Sequence, residues 1–456
     1  MQIQTINPAT EEILQNYPLL TLEQMNAAID AAHLCYCVWR KTAFSQRTQR
    51  MIALANLLRQ KKEELAVLIA QEMGKPLKAG VGEIEKCAWV CEHFAHEAEN
   101  YLAPREIKTE MKKTKVCYQS LGVIFGIMPW NYPFWQVFRF AAPTIMAGNA
   151  IILKHAPITT GSGNKIAELF IEAGFPEHLF QHLILDNDLA AKVIAHDKIE
   201  AITLTGSERA GSIVAANAAS HIKKSVLELG GSDPYIVLED ADIDLAAKTI
   251  VTSRLSNTGQ VCIAAKRTIV LKSVSEPLLN SIKEVMKNFT VGDPMDANTL
   301  LGPMARADLR DNLHKQVQDS IKKGAILLVG GEIPKNVKGY YYPPTLLINV
   351  CPGMPAFDEE LFGPVIAITE AQDEAQAIRL ANQTRFGLSA AIFTRDIAKG
   401  EAIATDLIDS GSCFINTYAA SDPRVPFGGI KRSGFGRELS REGILEFVNT
   451  KVVSIA

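Results

Sequence analysis

The order of apolar runs along the chain predicts an α/β fold built as two α/β domains in sequence. Short uninterrupted apolar segments, Val123-Ile-Phe-Gly-Ile-Met128 and Ala150-Ile-Ile-Leu153, alternate with helical patterns over 137–147 and 162–173. Ala201-Ile-Thr-Leu204 and Tyr235-Ile-Val-Leu238 continue the series. Strands apolar on both faces and separated by helices imply a parallel sheet covered on both sides. The theme returns at 268–271, 325–329, 365–369 and 391–394, and this repetition points to a second domain of the same kind.

Taken from the start, Thr21-Leu-Glu-Gln24 reads as a capping box that opens a helix through about Arg40. Met51, Leu54, Leu57, Leu58, Leu65 and Leu68 keep helical spacing, so one helix is expected over 46–73, ended by Gly74 and Pro76. A third helix is expected over 82–102. Its Cys87, Cys91, His93 and His96 invite a metal reading, but structural zinc sites usually draw ligands from two separated pairs, so packing is expected. The charged, β-tolerant stretch 106–120 reads either as an exposed hairpin or as a strand that pairs in an oligomer.

Length and charge narrow the function. A chain of 456 residues can hold two or three domains with a large core. A net charge of −3 offers no basic field for nucleic acid or an anionic membrane. No uncharged apolar run reaches the about 20 residues that span a bilayer, and the first 12 residues do not resemble a signal peptide. Eight scattered cysteines in so long a chain suit reduced thiols, so a soluble cytoplasmic protein is expected.

Four stretches carry chemistry. The Gly-rich dinucleotide fingerprint is absent from the first strand-to-helix turns. In its place, Ala201-Ile-Thr-Leu204 leads into Thr205-Gly-Ser207 and a helix starting near Arg209, where amide N–H groups and the Ser207 hydroxyl can take a phosphate or simply cap the helix. Lys154, at a strand end, can offer a donor to a ribose hydroxyl or sit in solvent. Glu228 is a single carboxylate inside the apolar Val226-Leu-Glu-Leu-Gly-Gly231. Burial would raise its pKa toward the range of a general base, unless it belongs to a core salt bridge.

Pro129-Trp-Asn-Tyr-Pro133 closes a strand and restricts Asn131, whose amide can serve a turn or donate to an oxyanion. Cys262 ends the polar segment Asn257-Thr-Gly-Gln-Val-Cys262. A free cysteine taken alone is more often a small packed hydrophobe than a nucleophile. A base, an oxyanion donor and a phosphate turn reverse that preference.

In order along the chain, Asn7-Pro-Ala-Thr10, Pro129-Trp-Asn-Tyr-Pro133, Thr205-Gly-Ser207, Leu227-Glu-Leu-Gly-Gly231 and Gly259-Gln-Val-Cys262 are followed by Gly292-Asp-Pro294 and Leu301-Gly-Pro303. Glu359-Glu-Leu-Phe-Gly-Pro364, Pro426-Phe-Gly-Gly429 and Ser433-Gly434 complete the set. The ordered set resembles the aldehyde dehydrogenase superfamily nearly end to end. The resemblance implies two Rossmann-like domains: 1–101 with 121–231 binding cofactor, and 232–432 catalytic. A small β oligomerisation bridge would comprise 102–120 and 433–456, in a homodimer or homotetramer.

It also implies Cys262 as nucleophile, Glu228 as base and Asn131 as oxyanion-hole amide. Trp130, Lys154, Ser207, Glu360 and Phe362 would contact the cofactor. The reaction implied is thiolate attack on an aldehyde, hydride loss to NAD or NADP, and hydrolysis of the thioester by a Glu228-activated water. Glu228 argues against release of the acyl group to coenzyme A. With Ile263 and Ala264 after the nucleophile, no adjacent cysteine can form a regulatory disulfide.

Arg139 stands among Val137, Phe138 and Phe140, where a charge either snorkels or meets an anion. Succinate-semialdehyde dehydrogenases have an arginine at this place, and the chain is most similar to the short bacterial ones, including Gly230-Gly-Ser-Asp-Pro234. Arg139 is therefore expected to clamp the substrate carboxylate, the alternative being a pairing with a structural carboxylate. A second arginine common in those enzymes is replaced here by Ser256, so Ser421 or Arg424 would supply the other anchor. NAD is expected with NADP also accepted, because Pro157 stands where NAD-selective relatives often carry a glutamate. Glutarate semialdehyde is the competing substrate, and a catalytically silent binding protein the competing class.

Overall fold

A computed structural model describes residues 2–456. The apolar run Val123–Met128 forms the strand around which the first half is arranged. It pairs in parallel with Ala150–His155 on one side and Ile199–Thr205 on the other. Phe180–His182 and Lys224–Glu228 extend the sheet outward, and the short antiparallel strand Gly434–Phe435 completes six strands. Gly126 belongs here because a Cβ would come within 2.4 Å of Cζ at the tip of the Phe140 ring.

The N-terminal helices cover one face of this sheet. The capping box at Thr21 is present and opens the helix Leu22–Trp39. The helix expected over 46–73 is two helices, Phe44–Gln60 and Lys62–Met73, broken at Lys61 with φ −102° and ψ 8°. Gly74 ends the second in the left-handed conformation, with φ +80°. Leu77–Tyr101 follows, and its Cys87 and Cys91 are buried in the shared core with Leu54, Leu58 and Phe94. The buried Arg47 ties the layers together by donating to the carbonyls of Trp39, Arg40 and Met146.

The second half forms a seven-stranded sheet, parallel except for its edge strand Ile326–Val329. Its central strand is Arg267–Leu271, flanked by Pro234–Val237 and Val365–Ala371. The α/β expectation thus holds for both halves. The 106–120 excursion is a hairpin, Arg105–Ile107 with Lys113–Ser120, and the terminal strand Val448–Ile455 pairs along its whole length with the second arm. Within the expected bridge, Gly434 and Phe435 depart from this pattern by joining the six-stranded sheet. Asn7-Pro-Ala-Thr10 is the turn of an N-terminal hairpin, where Asn7 Oδ1 accepts from the Ala9 N–H. No helix among the described residues is long and apolar enough to cross a membrane.

Candidate active site

Strand order in the first sheet reverses between Val123–Met128 and Ile199–Thr205. Connections that leave a parallel sheet in opposite directions open a crevice at the carboxyl ends of the strands. Three turns emerge there: Pro129-Trp130-Asn131, Thr205-Gly206-Ser207 and Glu228-Leu229-Gly230. With Cys262, Leu309, Glu360 and Phe362 from the second half they enclose a cavity of about 230 Å³.

Cys262 arrives on a strained loop. After the helix Ile243–Leu255 the backbone passes through three left-handed residues, Asn257 (φ 51°), Thr258 (φ 54°) and Gly259 (φ 72°). Non-glycine residues hold this conformation only where their surroundings over-determine it. Asn257 Nδ2 donates to the Asn131 carbonyl at 2.8 Å, and Thr258 Oγ1 to the Gly302 carbonyl at 3.1 Å. Gln260 Oε1 accepts from the Ala305 N–H at 2.9 Å. Buried Arg254 donates to the carbonyls of Gly259, Leu361 and Val365, fixing the loop to the segment that carries Glu360 and Phe362.

Asn131 Nδ2 donates one hydrogen to the Gln260 carbonyl at 3.0 Å and has a second to offer. The Cys262 N–H has no acceptor among the described residues. Two donors beside the sulfur are what an oxyanion requires. The thiol is half-buried, and burial pushes its pKa up to about 11, opposed by Lys266 and Arg139. The resting group is therefore a thiol that needs a base.

Glu228 is 2% exposed, and neither carboxylate oxygen has a hydrogen-bond partner. Burial raises its pKa well above the carboxylate range, and the nearby Glu438 raises it further. Gly428 leaves it room: at φ +153°, a Cβ there would stand 2.7 Å from Glu228 Oε1. Glu438 is itself buried and ion-paired to Arg139 Nε.

Cys262 also lines a second cavity of about 440 Å³ on its other side, with Trp135, Gln136, Arg139, Tyr418, Ser421 and Phe427 among its walls. The substrate-anchor expectations are revised here. Arg139 reaches the wall, but its charge is committed to Glu438, its Nη2 donates to Thr205 Oγ1 at 3.3 Å, and its plane lies 4.4 Å from the Phe427 ring centre. Arg424 does not reach the cavity. Asp422, two residues before it, holds the exposed guanidinium through two nitrogens. Ser421 does line the wall.

The expected cofactor contacts divide likewise. Trp130 and Phe362 meet edge to face at 5.8 Å in the smaller cavity. Ser207 caps the helix Glu208–Ser220, accepting from the Ala210 N–H. Glu360 is held by Lys266 at 2.7 Å and accepts from the Gly231 N–H. From Ser207, Gly230 and Glu360 a groove continues over the start of that helix, past Arg209 and Ser212. Lys154 lies apart from both cavities. It is 8% exposed and has no hydrogen-bond partner among the described residues, so burial lowers its pKa. A groove over a helix N-terminus fits a dinucleotide's phosphates, while Lys154 lies in Ala150–His155, separated from the strand that feeds this helix by Val123–Met128.

Several residues escaped the sequence reading. Glu438 and Arg254 are buried charges whose partners lie far along the chain. Lys266, four residues after Cys262, binds both the Cys262 carbonyl and Glu360. Lys86 sits in a helix where it reads as an ordinary solvated lysine, yet it lines the larger cavity.

Comparison with known proteins agrees with this architecture. The aldehyde dehydrogenase family profile matches residues 1–453. A Synechocystis sp. protein described as a probable NADP(+) succinate-semialdehyde dehydrogenase is 47% identical over 456 residues, covering 100% of both chains. The Escherichia coli succinate semialdehyde dehydrogenase Sad, described as NAD(P)+-using, is 45% identical over 98% of this chain and 97% of its own. Among solved structures, the succinic semialdehyde dehydrogenase of Streptococcus pyogenes in complex with NADP+ superposes with a TM-score of 0.97, at 36% identity and 99% coverage of each chain. A crevice at the strand-order reversal, a cysteine beside two free N–H donors and a match along almost the whole length lead to one conclusion: the chain belongs to the aldehyde dehydrogenase family.

Proposed function

We propose that this enzyme oxidises succinate semialdehyde to succinate with a nicotinamide dinucleotide, NADP ahead of NAD. One observation carries the reading: Cys262 stands where two cavities meet, one walled by Asn131, Ser207, Glu228, Glu360 and Phe362, the other holding cationic side chains. A thiol with separate approaches for cofactor and aldehyde suits hydride removal at sulfur. Similarity to dehydrogenases of succinate semialdehyde supports the substrate, and the NADP+ named for several of those relatives supports the cofactor. Residues 232–432 would then form the catalytic domain and 1–101 with 121–231 the cofactor domain. The free outer edge of Val448–Ile455, with Val452 and Ile455 exposed, would serve a homodimer or homotetramer. The free cysteines suit the reducing cytoplasm.

Cys262 gives up its proton to solvent as its sulfur bonds to the aldehyde carbon, and the carbonyl π pair moves onto oxygen. Asn131 Nδ2 and the Cys262 N–H receive the negative oxygen that results. Trp130, Ser207, Glu360 and Phe362 would hold the dinucleotide, which when bound supplies the acceptor for hydride and so allows a thioester on Cys262. Glu228, with its basicity raised by burial, takes a proton from water as the water's oxygen bonds to the acyl carbon. The carbon–sulfur bond then breaks, returning the electron pair to sulfur and leaving a carboxylate.

The test is absorbance of reduced cofactor on adding succinate semialdehyde or butanal, an uncharged aldehyde of equal chain length. Wild-type enzyme should show the larger kcat/KM with succinate semialdehyde, and Cys262→Ala should show no turnover. A preference for butanal or glutarate semialdehyde would reject the substrate, and full activity in Cys262→Ala would reject the mechanism.

A further inference from the structure

Three cations line the larger cavity: Lys75, Lys86 and Arg139. Two are already neutralised by buried carboxylates. Lys75 is ion-paired with Glu83 and Arg139 with Glu438. Lys86 has no ion-pair partner among the described residues. Its ammonium donates to Ser421 Oγ at 2.8 Å and lies 4.4 Å from the Trp135 ring centre. The nearby carboxylate of Asp422 is occupied by Arg424.

We infer that Lys86, with Ser421, receives the distal carboxylate of the substrate and sets the preference for an anionic aldehyde. The inference rests on the proposed dehydrogenase reading and assigns its anchor to a residue on the helix Leu77–Tyr101 instead of to Arg139. The geometry supports it in three ways. A cation against an aromatic face is held in place while its remaining hydrogens stay free to donate. Ser421 accepts from Lys86, so its own hydroxyl hydrogen is available to a carboxylate oxygen. A charge facing a cavity without a counter-ion has most to gain from an anion that enters.

The groups facing Lys86 are Glu83 and Cys87 from its own helix, Arg139 from the next helix and Asp422 from the loop beyond Ser412–Ile415. Burial first, and then Arg139, lower the lysine's pKa to about 8. The ammonium is therefore charged below that pH and neutral above it, so discrimination in favour of an anion must fade as the pH rises through about 8.

The experiment measures the ratio of kcat/KM for succinate semialdehyde to that for butanal. A ratio cancels the titrations of Cys262 and Glu228, which both substrates share. In Lys86→Met, which keeps an unbranched side chain and removes the charge, the ratio should fall at least about tenfold, chiefly through KM for succinate semialdehyde. Lys86→Arg should restore most of it. An unchanged ratio in Lys86→Met overturns the inference. Should the variant fail to fold, the wild-type enzyme decides: the ratio should decline between pH 7 and 9.5, and a flat ratio overturns the inference. Wild-type enzyme preferring butanal at every pH would reject the underlying substrate reading as well. A strong wild-type preference that survives Lys86→Met rejects Lys86 alone.

Discussion

Glu228 is a buried carboxylate with no hydrogen-bonded partner on either oxygen. Burial of an unpartnered carboxylate disfavours its charge, and Glu438 adds repulsion that Arg139 only partly offsets. The group is therefore a stronger base than a surface glutamate, which suits proton removal from water near neutral pH. Glu228→Gln keeps the shape and removes the basicity. Rapid mixing with cofactor and aldehyde should show a burst of about one reduced cofactor per active site, followed by turnover slowed about 100-fold or more. A slow linear course with no burst would place Glu228 before hydride release. Arg139 belongs to this same group of charges. A buried arginine bound to a buried glutamate counters that glutamate's charge before it serves any substrate.

The element that presents Cys262 is the left-handed passage from Asn257 to Gly259, and its tolerance is small. A Cβ on Gly259 would lie 2.2 Å from the backbone of Gly363, at a φ of +72° that disfavours any side chain. Gly259→Ala must therefore shift either the nucleophile loop or the segment carrying Glu360 and Phe362. Thermal unfolding should fall by several degrees, for a loss of roughly 2–4 kcal/mol, and kcat should drop for charged and uncharged aldehydes alike. An unshifted melting curve with full kcat would show that the two segments can part without consequence. This loop also marks where the sequence stops being legible. The strands Val123–Met128, Ala150–His155 and Arg267–Leu271 could be read from runs of apolar residues, because burial on both faces leaves a local trace. The turn at Thr205-Gly-Ser207 was legible for the same local reason. The break at Lys61 was not, since helical periodicity continues through it. Nor were Arg254 holding the distant carbonyls of Leu361 and Val365, or Glu438 claiming Arg139, for those pairings exist only after the chain has folded.

At the scale of the molecule, the carboxyl ends of the first sheet's strands face the Cys262 loop, which precedes the strand Arg267–Leu271 of the second. The groove between them continues over the helix Glu208–Ser220, and in the proposed reading Lys154 meets the cofactor's ribose. Pro157, three residues after Lys154, is exposed and opens a single turn of 3-10 helix. It carries no carboxylate to bind a ribose 2′-hydroxyl or to repel a 2′-phosphate. Burial lowers the pKa of Lys154, and a nearby phosphate would favour its charged form. Both features favour a phosphorylated ribose, which moves the expected preference from NAD to NADP. Pro157→Glu tests this without touching the chemistry at Cys262. Two charges about 4 Å apart near a protein surface interact by about 4 kcal/mol before screening, so kcat/KM for NADP should fall at least about tenfold. The value for NAD should hold or rise, because the new carboxylate can accept from the 2′-hydroxyl. Since the residue is exposed, the melting temperature should move little, separating a change of selectivity from a damaged fold. Equal losses for both cofactors would mean that the 2′-position lies elsewhere, and that Lys154 does not read it.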